Sequence, residues 1–186
     1  MITKETMMKM IFSQALESLL AEKELEEIYT AEIIKRSGLS KASFYRYFQD
    51  KYALANWTLQ RVLDNQAIQL SGPEEQDRNL KDLFQTMNDN RVIYQKLFRY
   101  SGQNSISEYY MDFALKLAEK ACKDRGSRIT KQEKYTVRYH TSGILDLITQ
   151  WLFDPNPMSA EELAKVIKEN RSDAAKRIFT VRSPDA

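Results

Sequence analysis

Residues 33–51 read IIKRSGLSKASFYRYFQDK, and the rest of the chain is organised around this stretch. Ile33 and Ile34 supply the apolar side of a short helix. Ser37-Gly38 ends it, because glycine just past a last turn takes the left-handed conformation without steric cost. Leu39 follows as a buried anchor, and Ser40 stands where a helix N-cap belongs. A second helix then spans about Lys41 to Phe48. Phe44 and Phe48 are four residues apart and share its core face. Lys41, Ala42, Ser43, Tyr45, Arg46 and Tyr47 are left facing outward. Small residues let a backbone approach closely, while basic and hydroxyl groups suit base edges and phosphates, so this face fits a DNA major groove. Gln49-Asp50 breaks the helix. Lys51 opens the next one, whose unpaired N–H groups favour a phosphate.

Charge is concentrated here as well. Net charge over the 186 residues is only +2, so bulk charge implies no general affinity for nucleic acid. Between 35 and 51, however, Lys35, Arg36, Lys41, Arg46 and Lys51 face Asp50 alone, whereas residues 17–32 carry six glutamates against Lys23. Such clustering is what an electrostatic footprint on DNA requires.

The stretch resembles the TetR/AcrR family of transcriptional regulators. Gly38-Leu39-Ser40, then Phe44-Tyr45-Arg46-Tyr47-Phe48, then Lys51 and Leu54 match the family pattern over about 45 residues. The resemblance implies phosphate contacts from Tyr45, Tyr47 and Lys51. It implies base or near-base contacts from Lys41, Ala42, Ser43 and Arg46. The family's threonine cap falls on Tyr29, which cannot cap; Thr30, one residue later, is the candidate for that cap and its phosphate contact. Residues 90–98, NRVIYQKLF, look like a subgroup that includes regulators of dihydroxyacetone kinase genes.

Composition fits an all-α chain. Apolar residues make up 42% and charged residues 29%, with only five glycines and four prolines. The expected architecture is a three-helix head containing the helix-turn-helix, followed by a helical-bundle C-terminal domain, about nine helices in all. The expected domains are a DNA-binding head at 1–50 and a regulatory and dimerisation domain at 51–186, with a linking helix at about 51–70. A first helix, about Thr3 to Lys23, carries Met7, Ile11, Ala15, Leu19 and Leu20 at helical spacing, widened by Phe12 and Leu16. Ser71-Gly72-Pro73 is the clearest punctuation. Helices are expected over about Asp77–Met87, Arg91–Ser101 and from Ser105 or Ser107 to Asp124. Capping boxes at Thr130–Glu133 and Ser159–Glu162 start the last two. Asp154-Pro155-Asn156-Pro157 separates these, so they should form an antiparallel hairpin, the second running to about Ile178. Residues 180–186 should fray.

The hairpin carries Ile144, Leu147, Ile148 and Trp151 on one helix and Leu163, Val166 and Ile167 on the other. Two such hairpins about a two-fold axis make a four-helix bundle, and the resemblance favours this homodimer over packing within one subunit. A dimer reads a palindromic operator in double-stranded DNA. The resemblance also implies an effector pocket in the aromatic-rich helices, with Trp57, Tyr94, Phe98, Tyr109, Phe113, Tyr139 and His140 as its candidate lining. An aromatic at helical spacing serves equally as plain core.

One cysteine, Cys122, and one histidine, His140, leave no His/Cys metal cluster and no nucleophile–base pair. No metal or other cofactor is expected, and an enzyme is not. No apolar run reaches bilayer length and no apolar leader is visible, so no membrane is involved and a cytoplasmic protein is expected. The favoured function is a sequence-specific regulator, a repressor, controlled by a small-molecule effector. Two further readings stay open: a regulator, activator included, controlled by a protein partner, and a helical binding protein without DNA recognition.

Overall fold

The structure is a computed structural model that describes residues 3–65, 73–102 and 104–179. Every regular element among the described residues is helical. The chain divides into two compact units, Met1–Asn65 with Asn90–Ile106, and Gln66–Asp89 with Ser107–Ala186. Parts of the expected linking helix (66–70), the punctuation at 71–72 and the terminal segment from 180 lie outside the described residues.

In the first unit, α1 spans Lys4–Glu22, and Thr3 Oγ1 caps it by accepting the Thr6 N–H at 3.1 Å. Its buried stripe is Phe12, Ala15, Leu16, Leu19 and Leu20. The expected stripe is thus shifted: Met7 is 56% exposed, and Phe12 and Leu16 lie at its centre. After a 3-10 turn, Leu25–Glu27, come α2 (Thr30–Ser37), α3 (Lys41–Tyr47) and α4 (Lys51–Asn65). Gly38 ends α2 at φ +68°, the left-handed conformation that glycine adopts without penalty. Ser40 caps α3, accepting the Ser43 N–H at 3.1 Å. Asp50, read from the sequence only as a breaker, caps α4 by accepting the Ala53 N–H at 2.8 Å.

Four rings pack against one another in this unit, three of them buried. Phe12 meets Phe44 edge-on at 5.2 Å and Phe48 at 6.3 Å. Phe44 and Phe48 lie 5.7 Å apart, and Trp57 of α4 meets Phe48 at 6.0 Å. Edge-to-face pairs of this kind add about 0.5–1.5 kcal/mol each beyond area burial. α6 (Arg91–Arg99) also packs on α1, so the described part of the linking helix and this later helix both belong to the unit that holds the head. A polar chain crosses the same region. Ser13 Oγ lies 3.0 Å from Thr58 Oγ1 and donates to Glu17 at 2.9 Å, and Arg61 pairs with Glu17 at 3.1 Å.

The second unit holds α5 (Pro73–Asp89), α7 (Ile106–Asp124), α8 (Lys131–Phe153), α9 (Ala160–Glu169) and α10 (Asp173–Phe179). α5 starts four residues before the expected Asp77, with proline at the first helical position, where its missing N–H costs nothing. Both capping boxes form: Glu133 and Glu162 carboxylates accept the N–H groups of Thr130 and Ser159 at 2.7 and 2.8 Å. The expected last helix to about Ile178 is two helices, giving ten α-helices among the described residues in place of about nine. Asn170 Nδ2 bonds back to the Val166 carbonyl at 2.9 Å, and Ser172 Oγ accepts the Ala175 N–H at 3.2 Å, so a stop and a new N-cap fall within three residues. α9 packs along α5 and α10 on α8. Phe84 stacks obliquely on Trp151 at 6.0 Å, and the Trp151 indole donates to the Met158 carbonyl at 2.7 Å. Ala114, Ala118, Val137 and Ile178 form a second cluster with Leu115 and Ile129. Cys122 is buried.

Candidate nucleic-acid interface

The outward face of α3 follows from the inward one. Phe44 and Phe48 are 0% and 4% exposed, which turns Lys41, Ala42, Tyr45 and Arg46 to solvent and leaves Ser43 and Tyr47 half-buried. Tyr45 is 51% exposed, with its ring edge seated on Phe44 at 5.3 Å. The Lys41 ammonium lies 6.0 Å from the Tyr45 ring. Lys9 of α1 lies 5.8 Å from the Tyr47 ring. Lys9 was not a sequence candidate; its visible signal was the i, i+4 pair with Glu5, now 2.6 Å apart. Leu39, expected to be buried, is half-buried.

The five basic residues of the stretch divide in two. Lys35, Lys41 and Arg46 are exposed. Arg36 is engaged within the fold: its guanidinium makes two bonds to the Glu22 carboxylate, 2.9 and 3.2 Å, and a third to Ser18. The hydrogen bond to Arg36 holds the Glu22 carboxyl below its usual range. Lys23 does the same for Glu32. These pairs tie α1 and the residue after it to α2, and the Arg36 pair engages positive charge that the sequence counts toward DNA.

Lys51 is also engaged. Its ammonium donates to the Glu26 and Ile28 carbonyls, both at 2.8 Å, and lies 5.2 Å from the Tyr52 ring. Burial pushes its pKa below the usual lysine value. An ammonium has three N–H groups, so this anchoring uses two and orients the third.

Thr30 does not cap α2. It is the first residue of the helix, preceded by Tyr29, and the Glu32 carboxylate accepts the Tyr29 N–H at 2.8 Å. Tyr29 makes no side-chain cap bond and is 72% exposed. The expected late cap is therefore corrected, since Thr30 already lies inside the first turn.

The seven aromatic and histidine candidates for an effector pocket fall in both units. Trp57 is half-buried and packs on Phe48 in the head. Tyr94 and Phe98, on α6, are buried in the same unit; burial pushes the Tyr94 phenol up to about 12. In the second unit, Tyr109 and Phe113 are half-buried on α7. Tyr139 is 79% exposed. His140 Nε2 lies 2.7 Å from Ser172 Oγ at the cap of α10, and burial, with Arg171 near, lowers its pKa. Tyr139 and His140 line an open groove of about 630 Å³ with Ile144, Leu147 and Ile167, so two effector candidates share a surface with three dimer candidates. Of the seven dimer candidates, Ile148, Trp151, Leu163 and Ile167 are buried within the chain. Ile144 and Val166 are half-buried and Leu147 is exposed.

A short helix entered through a serine cap, a left-handed glycine turn before it and a polar, basic outward face define a helix-turn-helix regulator. Comparison with known proteins gives the family. The model of the bacterial regulatory proteins of the tetR family matches residues 13–56, and that of the transcriptional regulator C-terminal region matches residues 74–172. The chain belongs to the TetR family of transcriptional regulators, whose members act as regulators and not as enzymes. Among solved structures it is similar to the dihydroxyacetone kinase operon activator DhaS, at 18% identity and TM-score 0.57 over 95% of this chain and 98% of that one. That likeness shows a shared fold. No curated protein matches the sequence significantly. No helix among the described residues is long and apolar enough to cross a membrane.

Proposed function

We propose that this protein binds a palindromic operator as a homodimer, represses transcription by occupying it, and is controlled by an effector acting on the part of the chain after residue 50. The observation that carries the reading is the outward face of α3. Ala42 and Lys41 are exposed at its N-terminal end, Arg46 is exposed one turn on, and Tyr45 stands beside them on a rigid phenylalanine base. In this reading Lys41, Ala42, Ser43 and Arg46 meet base edges, and Tyr45, Tyr47 and Lys51 meet phosphates, with Thr30 at the rim.

The dimer reading is supported by one face of α8. Tyr135, Tyr139 and Leu147 are 64%, 79% and 36% exposed, at helical spacing. A Cβ added at Gly143, between them, would meet nothing within 4 Å. Ile144, half-buried, and Ile167 line the same groove. A contiguous exposed apolar patch of this kind marks an interaction site.

Selection of bound duplexes from random DNA tests the reading. The expected product is a palindrome with half-sites a helical turn or more apart. Recovery of asymmetric or random sequences would refute it. The neighbour named as an activator gives the opposite sign of regulation a specific basis; a reporter gene behind the selected site distinguishes the two, with repression expected.

A further inference from the structure

The end of α6 and its C-cap residue, Tyr100, approach the surroundings of Lys51 on two sides. On one side, Tyr100 stacks flat on Tyr52, with centroids 4.5 Å apart and planes 15° from parallel, and Tyr52 in turn lies beneath the Lys51 ammonium at 5.2 Å. Burial, then a hydrogen bond with Tyr100, pushes the Tyr52 phenol up to about 12. Gly102 seats the Tyr100 ring: a Cβ built there would lie 2.4 Å from the phenol oxygen and 2.6 Å from Cζ. On the other side, Arg99 and Lys96 approach the Glu24 carboxylate at 3.2 and 3.9 Å. Glu24 opens the 3-10 turn, and the carbonyls of Glu26 and Ile28, in that turn and just after it, accept the two Lys51 N–H groups.

We propose that Tyr100 and Tyr52 form a packed joint that positions the Lys51 ammonium for a DNA phosphate. The inference rests on the DNA-binding reading above. It makes Tyr100, Tyr52 and Glu24 positioning residues: none touches DNA, and each acts through Lys51. The geometry supplies the reason. A lysine stem has many rotamers, and holding its head at one point removes that freedom before DNA arrives. Two carbonyls and a ring face fix the head in three directions, and the stack fixes the ring.

The test compares Tyr100→Ala, Gly102→Ala and Lys51→Ala, singly and in pairs with Lys51→Ala, on the selected operator, by fluorescence anisotropy across a salt series. Loss of one cationic phosphate contact lowers the slope of log affinity against log salt by about one per head. Tyr100→Ala is expected to weaken binding about tenfold and to lower the slope as Lys51→Ala does. Adding Tyr100→Ala to Lys51→Ala should weaken binding by less than about twofold more, because coupled residues are not additive. Gly102→Ala, which displaces the ring and removes no polar group, should move both readouts the same way, and it carries the comparison if Tyr100→Ala proves unfolded. Tyr100→Phe, which keeps the stack, should retain the slope. Operator binding by the unsubstituted protein with additive losses, or with an unchanged slope in Gly102→Ala, would overturn the joint alone. Absence of operator binding by the unsubstituted protein would overturn the joint together with the function it serves.

Discussion

Replacing Phe44 by alanine separates the inner face of the recognition helix from the outer one. Phe44 is 0% exposed and touches Phe12, Tyr45 and Phe48 with ring centroids 5.2, 5.3 and 5.7 Å away. Truncating a buried phenylalanine costs about 3–5 kcal/mol. The edge contacts place this site in the upper half of that range, because the cavity is walled by rigid rings that cannot collapse into it. Tyr45, one residue on and 51% exposed, is the control. Its truncation should cost less than about 1 kcal/mol of stability, as half-exposed positions do, yet weaken DNA binding. The assay is denaturant unfolding read by Trp57, whose ring lies 6.0 Å from Phe48. The other tryptophan, Trp151, is replaced by phenylalanine so that one indole reports on the head. A loss below about 1.5 kcal/mol for Phe44→Ala, or equal losses for the two variants, would refute the assignment of faces.

Three further outcomes follow from the geometry. Leu147→Arg should yield monomers by light scattering with little change in unfolding, whereas Trp151→Ala should cost about 3–5 kcal/mol of fold stability because its ring is buried within the chain. Ser40→Ala should cost about 1 kcal/mol through loss of the α3 cap, and Ser40→Gly much less. The Glu133 carboxyl is held below its usual 4.5 by the Thr130 N–H and hydroxyl, and Glu162 by the Ser159 pair. A depressed folded pKa means stability that is present above 4.5 and lost as pH falls through the folded value. The melting temperature of the unsubstituted chain should therefore fall below about pH 4.5 more steeply than that of a Glu133→Gln, Glu162→Gln variant; parallel curves would contradict the capping roles.

The head was legible because its signals are local. Gly38, Ser40 and the Phe44–Phe48 spacing each state a conformation within four residues, and the family resemblance rested on the same positions. The break of the last helix was equally local but quieter: Asn170 and Ser172 are a stop and a cap without glycine or proline, so periodicity ran through them. Other features are long-range. Arg36 reads as a DNA-facing charge until α1 brings Glu22 to it, fourteen residues earlier. Lys51 reads as a phosphate ligand, and only the fold shows the carbonyls that anchor it. Helical spacing placed Ile148, Trp151, Leu163 and Ile167 on apolar stripes correctly, but a stripe does not say whether it meets its own chain or a second copy. Trp57 illustrates the same limit, since an aromatic meant for a pocket and one meant for a core have one spacing.

The central claim is that the outward face of α3 reads a sequence. Its most direct measurement is the ratio of dissociation constants for the selected palindrome and a scrambled duplex, at fixed salt, for the unsubstituted protein and for Arg46→Ala. A ratio of about a thousandfold or more is expected for the former. For Arg46→Ala the expected loss is about 1–3 kcal/mol per half-site, falling on the palindrome and relaxing the preference at one base position. A ratio near one, or equal weakening on both duplexes, would contradict the claim.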